Sequence, residues 1–285
     1  MKLNILSEKY KGGPGSGDFG HRGRPGQIGG SASRTANRQL YLSMFNKFEH
    51  DIELYENRFE EITNGKSRDV VRFIHDAYVF EDESSGINTN VTSVSLTKSG
   101  KIRISGRVYN AQGDEIGTMV RNLDNNPYDA GIPIITNSVL TITEPSYIGS
   151  GFGAKFYKNS EELAMEYGIE AIELNANSEV GGYAWARMGY DFTDRIDRNL
   201  IKQSLSLEYA NRYAPAGSDK LKVAMDFHDK LGNITAYEIA SMIGPDGYRI
   251  GKYILLGRSW KGIKYLNPDN LGYQAGQEYY ASKGL

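Results

Sequence analysis

The chain has no cysteine in its 285 residues. Disulfides, thiolate metal sites and a cysteine nucleophile are therefore excluded. Histidine is scarce: His21, His50, His75 and His228 are scattered and form no close ligand pair, so no metal site is expected. Neither sign of charge dominates. Thirty-three basic residues face 35 acidic ones, net −2, and there is no global basic field to hold nucleic acid. Arg22, Arg24 and Arg34 form only a small local set. No apolar run approaches the roughly 20 residues of a membrane helix, and the N-terminus has no signal-peptide core. The expectation is a protein made in a cytoplasm, with no membrane partner and no nucleic acid. A full Gly-x-Ser-x-Gly nucleophile elbow is also missing around Ser150.

Glycine and tyrosine are plentiful, at 33 and 20 residues. Glycine concentrates first in residues 11–33, which run Gly12-Gly13-Pro14-Gly15-Ser16-Gly17, then His21, Arg24-Pro25-Gly26 and Gly29-Gly30-Ser31. So few apolar residues cannot offset the ordering entropy, and residues 1–34 are expected to be a flexible segment. Gly15, Gly17 and Gly20 match a dinucleotide fingerprint by letter, but no strand precedes them and no helix follows directly. Next, Leu40, Met44, Phe48, Ile52, Tyr55, Phe59 and Ile62 recur at three- and four-residue spacing. That stripe predicts an N-terminal helix over 35–65, stopped at Asn64-Gly65.

From residue 66 the pattern changes. A short helix over 68–79 precedes the acidic loop Glu81-Asp82-Glu83, read as a solvated turn. Alternation predicts strands over 91–96, 101–109 and 115–123, joined by tight turns at Ser99-Gly100 and Gly113. Residues 134–143 form a further β-branched strand, which Pro145 ends. A glycine loop follows, Gly149-Ser150-Gly151-Phe152-Gly153, then a helix over 154–167, a strand over 169–174 and a short helix over 180–188. Glycines let a ligand approach the backbone, and the exposed amides of the next helix start favour an anion such as a pyrophosphate.

Two stretches carry a resemblance. Gly151-Phe152-Gly153-Ala154-Lys155-Phe156 resembles the acyl-CoA loop of the GNAT superfamily of N-acetyltransferases. Ala184-Trp185-Ala186-Arg187-Met188-Gly189-Tyr190 resembles that family's later helix. The resemblance covers about residues 70 to 192. It implies an α+β fold with a GNAT-like mixed, mostly antiparallel sheet flanked by helices. It implies acetyl-CoA held by Ile148, Gly149, Ser150, Gly151, Phe152, Gly153 and Ala154, and transfer to a small-molecule or protein amine. The family's Gln or Arg falls on Ile148, and a frequent family tyrosine on Trp185. Glu144 and Glu173 are candidates for the base. Tyr183 and Tyr190 are candidates for the acid that a tyrosine at Trp185 would supply. The N-terminal glycine string resembles segments of phage head-morphogenesis and related virion proteins. It implies capsid or other virion partners and residence in a virion and the host cytoplasm. A non-catalytic virion component on the same scaffold is the alternative.

Residues 193–285 are read as a mainly helical C-terminal extension to a domain spanning 66–192. Helices are predicted over 195–213 and 218–231, and after the capping box Thr235 to Glu238. A strand is expected near 253–256, then an aromatic tail from Trp260 to Leu266 and Tyr279-Tyr280.

Overall fold

A computed structural model of the chain describes residues 44, 46–125, 131–147, 149–176 and 181–285. The glycine-rich segment expected over 1–34, and Ile148, lie outside the described residues. The described part is α+β. It holds a mostly antiparallel eight-stranded sheet in the order β1-β2-β3-β4-β5-β6-β8-β7, flanked by helices.

Among the described residues the first full helix is α1, Ile52–Ile62; residues 35–43 and 45 of the predicted stripe lie outside them. Asp51 caps it, accepting from the Glu53 amide at 3.0 Å. Just before, the backbone leaves helical pairing. Phe48 bridges Val94 in parallel, and the Glu49 amide donates to the Val94 carbonyl at 3.0 Å. A stripe of apolar residues cannot distinguish this from one more turn of helix. Helix α2, Val70–Tyr78, follows with Asp69 as its cap.

Strands β1 (Glu81–Asp82), β2 (Ile87–Leu96), β3 (Ile102–Tyr109), β4 (Glu115–Asn125) and β5 (Pro133–Ile142) form an antiparallel meander. Along β3, Ile102, Ile104 and Val108 are buried while Arg103 and Arg107 are exposed, as a sheet with one solvated face requires. β2 starts four residues before the predicted run. Thr89 is inward there, donating its hydroxyl to the Tyr78 carbonyl at 2.8 Å. β5 then pairs in parallel with β6 (Ala171–Ala176), across helix α3, Phe152–Glu166.

The remaining elements are α4 (Gly181–Arg187), β7 (Asp191–Phe192), α5 (Arg195–Tyr213), α6 (Lys220–Lys230), α7 (Ala236–Ser241), α8 (Ile250–Leu255), β8 (Trp260–Tyr265) and α9 (Leu271–Ala281). Residues 253–256, expected as a strand, fall largely in α8. Its buried Ile250, Gly251, Ile254 and Leu255 follow a helical period. The aromatic stretch from Trp260 is β8, and it lies inside the sheet between β6 and β7. The part read as an appended extension therefore completes the sheet begun before it.

The acidic loop is not simply solvated. Asp82 is 5% exposed. Its carboxylate accepts from Lys155 Nζ at 2.7 Å and from the Ser84 and Ser85 hydroxyls at 2.8 and 2.7 Å. Lys155, in the glycine-loop motif, is thereby engaged by Asp82 and Ser84.

Candidate active site

The sheet opens in its middle. β5 pairs with β4 along its length but with β6 only from Ile134 to Asn137. Past Asn137 and Leu174 the two strands part, so the peptide groups facing that gap lack ladder partners. At the same level β5 carries a bulge. Val120 pairs with Val139 and Arg121 with Asn137, so the β4–β5 register skips Ser138. The gap is continuous with a cleft of about 400 Å³ bounded by β5, the start of α3 and α4.

Gly151 begins α3 at φ 87° with no side-chain cap bond. That left-handed conformation favours glycine. Gly153 is different. A Cβ there would meet nothing within 4 Å, and the residue lines the cleft with Ala154 and Tyr157. Apart from the Phe152 amide, the amides at the start of this fifteen-residue helix have no side-chain cap, and they stand at the cleft mouth. Phe152, grouped with these residues by sequence, points the other way. Its side chain is fully buried against Phe156, with ring centroids 5.7 Å apart, so only its backbone belongs to the loop. Gly149 and Ser150 are exposed, and the Ser150 hydroxyl accepts from the Phe152 amide at 3.4 Å.

Three of the four candidate catalytic residues, Glu144, Tyr183 and Tyr190, fall away from the cleft wall. Glu144 is exposed past the end of β5, accepts from the Ser146 hydroxyl at 3.1 Å, and lines neither cavity at the gap. Tyr183 lies on another side of α4, its ring 5.8 Å from Lys252 Nζ. Tyr190 is fully buried, and burial pushes its hydroxyl pKa well above the ordinary value. Trp185 is half-buried and forms part of the wall. It packs edge-on to Tyr157 at 4.6 Å and to Tyr190 at 5.3 Å.

Two residues that sequence reasoning passed over stand at the gap. Tyr157 is one helical turn beyond Gly153 on the cleft side of α3. Its hydroxyl lies 3.2 Å from Arg121 Nη2. Arg121 is 1% exposed and also donates to the Val120 and Val139 carbonyls. It lies over the Phe156 and Tyr157 rings at 5.7 and 5.5 Å. The available signal was the β4 register: Met119, Arg121 and Leu123 share the inward face.

A second cavity, of about 880 Å³, opens on the opposite face. Thr136 and Glu173 line it where their register neighbours Asn137 and Leu174 line the cleft. Leu174 and Asn175 border both. Two carboxyls face this cavity. Burial pushes the Glu173 carboxyl up, opposed by Lys101 and Lys261. Burial also pushes Asp191 up, opposed by the Ala236 and Phe192 amides and by Arg198. Among the described residues no cluster of three or more His, Cys, Asp or Glu could hold a metal ion, and no helix is long and apolar enough to cross a membrane.

No protein-family model matches the chain, and no curated protein matches it in sequence. Among solved structures, a nourseothricin acetyltransferase is similar over 42% of this chain and 79% of its own, at 19% identity and a TM-score of 0.26. The aminoglycoside 6'-N-acetyltransferase from Enterococcus faecium is similar over 77% and 92%, at 12% identity and a TM-score of 0.25. Likeness at this level does not bear on what the chain does.

Proposed function

We propose that the chain is an acyl-CoA-dependent N-acetyltransferase of GNAT type. Acetyl-CoA enters from the α3 side and an amine from the cavity on the opposite face. The observation that carries this is the parting of β5 and β6 beside a helix led by a glycine that offers no capping side chain. It sets an anion-attracting helix start, unpaired strand edges and two cavities around one gap. The pyrophosphate of CoA would lie on the loop and first turn of α3, through Gly149, Ser150, Gly151, Gly153 and Ala154. The thioester would reach the gap near Asn137 and Val139. There, peptide groups without ladder partners can meet charge developing on its oxygen. Carboxyls with raised pKa on the far side, Glu173 and Asp191, are suited to take a proton from the incoming amine.

The finer reading is a phage-encoded enzyme carried with the virion and acting on a host amine. Its support is the glycine string of residues 12–31. A titration of the whole chain with acetyl-CoA and with CoA tests the binding, followed by thiol release against a panel of amines. Gly153→Leu is the matched control. The added side chain enters open space on the ligand side and suits a helix better than glycine. It should leave the fold intact and weaken acetyl-CoA binding about tenfold or more, about 1.4 kcal/mol. Equal affinity in the variant takes the loop out of the site. Absence of acetyl-CoA binding by the parent chain ends the enzyme reading.

A further inference from the structure

We propose that Tyr157 is the acid that protonates the departing thiolate, with Arg121 holding its hydroxyl and meeting the charge it acquires. This rests on the acetyl-CoA reading above. It assigns the proton to a residue on α3, where the resemblance pointed to α4.

Arg121 is buried on the inward face of β4, directly opposite Asn137 at the bulge. Among the described residues no carboxylate pairs with it: its partners are two carbonyls, one hydroxyl and two ring faces. A buried cation met only by neutral acceptors is costly. A negative charge arising within reach would lower that cost. The fixed hydroxyl within reach is that of Tyr157, and Tyr157 lines the cleft at the level where the strands part. Gly153 and Tyr157 are four residues apart on one helix, so they follow each other along the same face. A ligand whose phosphates rest at Gly153 runs past Tyr157 on its way to the gap. The other candidates do not reach it. Trp185 offers an indole N–H, a very poor acid. Tyr183 faces a different cavity and Tyr190 is sealed in the core.

The step balances without a further reactant. The acceptor nitrogen attacks the thioester carbonyl carbon, forming the N–C bond and placing the π pair on oxygen. Collapse restores the carbonyl and breaks the C–S bond, whose electron pair stays on sulfur. The Tyr157 proton moves to that sulfur, leaving a phenolate beside the Arg121 guanidinium. The nitrogen sheds a proton and Tyr157 regains one, so the net transfer is one hydrogen from amine to thiol. Burial pushes the Tyr157 hydroxyl up, and Arg121 pulls it back. The other ionisable groups facing it are Glu161 on its own helix, Tyr78 on α2, Tyr190 after α4 and Tyr280 on α9.

The experiment uses the whole chain and acetyl-CoA itself. Binding is measured first by calorimetry, then thiol release with the best amine of a panel across pH, for the parent, Tyr157→Phe and Arg121→Met. Tyr157→Phe should lower kcat about a hundredfold. It should keep the acetyl-CoA Kd within about twofold and abolish the alkaline limb of the kcat profile. Arg121→Met should move that limb to higher pH. A purely structural brace would change the urea midpoint and leave the pH profile alone. Turnover of Tyr157→Phe within about threefold of the parent, with the alkaline limb intact, overturns the assignment whatever Arg121→Met does. A parent that binds acetyl-CoA yet releases no thiol overturns it as well, while the binding reading stands. A parent that binds no acetyl-CoA removes both.

Discussion

At the scale of single residues, charges on inward registers do the positioning. Asp82 shows this outside the cleft. Lys155 Nζ and the Ser84 and Ser85 hydroxyls overcome the cost of burying its carboxyl and hold its pKa at about 2, below the ordinary 3.8. A lowered folded value means stability that is present above the unfolded pKa and lost as pH falls through the folded one. Asp82→Asn should therefore cost about 2 kcal/mol near neutral pH. The difference from the parent should shrink as pH falls from about 4 towards 2, read as urea midpoints across that range. A constant difference would mean that Asp82 acts through packing alone. Nothing in Glu81-Asp82-Glu83 distinguishes this from a solvated turn, because its partner Lys155 lies 73 positions away in the chain. Arg121 was more legible. A charge among Met119 and Leu123 on an alternating strand is already an anomaly, though only the fold supplies Tyr157 beside it. The glycines were legible as a group but not individually. Gly151 is needed for its left-handed backbone, whereas Gly153 is needed for the space it leaves.

Between elements, one ion pair couples α3 to the last strand and helix. Lys264 Nζ on β8 lies 2.6 Å from Glu161 on α3, both side chains 0% exposed, and the Tyr280 hydroxyl on α9 donates to the same carboxylate at 3.0 Å. Burial pushes the Glu161 carboxyl up, and Lys264 and Tyr280 oppose it. Lys264 also lies over the Tyr190, Tyr273 and Tyr280 rings. Replacing one partner leaves the other buried and unpaired. Lys264→Met or Glu161→Gln alone should each cost about 3–5 kcal/mol in urea unfolding, and the double variant should cost much less than the sum. Strict additivity would mean that the two groups do not depend on each other. The strands and helices of residues 66–192 were largely legible, because alternation and glycine stops are local signals. The two failures have a common cause. In 46–51 the one apolar side chain is Phe48, and in 253–256 the apolar side chains run nearly unbroken, so short-range spacing fits more than one conformation in both. The choice fell to partners distant in sequence, Val94 for the first and packing of α8 on α5 for the second.

For the whole molecule the consequence is that the sheet closes late. Among the described residues β7 pairs only with β8, and β8 also forms one side of β6 over all six residues from Ala171 to Ala176. Residues 260–265 thus complete a surface laid down some 90 positions earlier, a pairing that must close a long loop before it is rewarded. The resemblance fades after residue 192 because its motifs are local to the cleft, and the strand that supports the cleft from behind carries no motif. Gly189 shows how tightly the two parts meet. A Cβ there would come within 1.8 Å of the Gly272 carbonyl oxygen at the start of α9, and its φ is 89°. A chain ending at residue 192 would expose the β6 edge, strand β7 and orphan Glu161. It should show no cooperative thermal transition, whereas residues 40–285, which form one compact unit, should unfold in a single step. If the shorter chain melts cooperatively and still binds acetyl-CoA, the elements after β7 are dispensable to the fold. The cleft would then be supported by β1 to β7 and α1 to α4 alone.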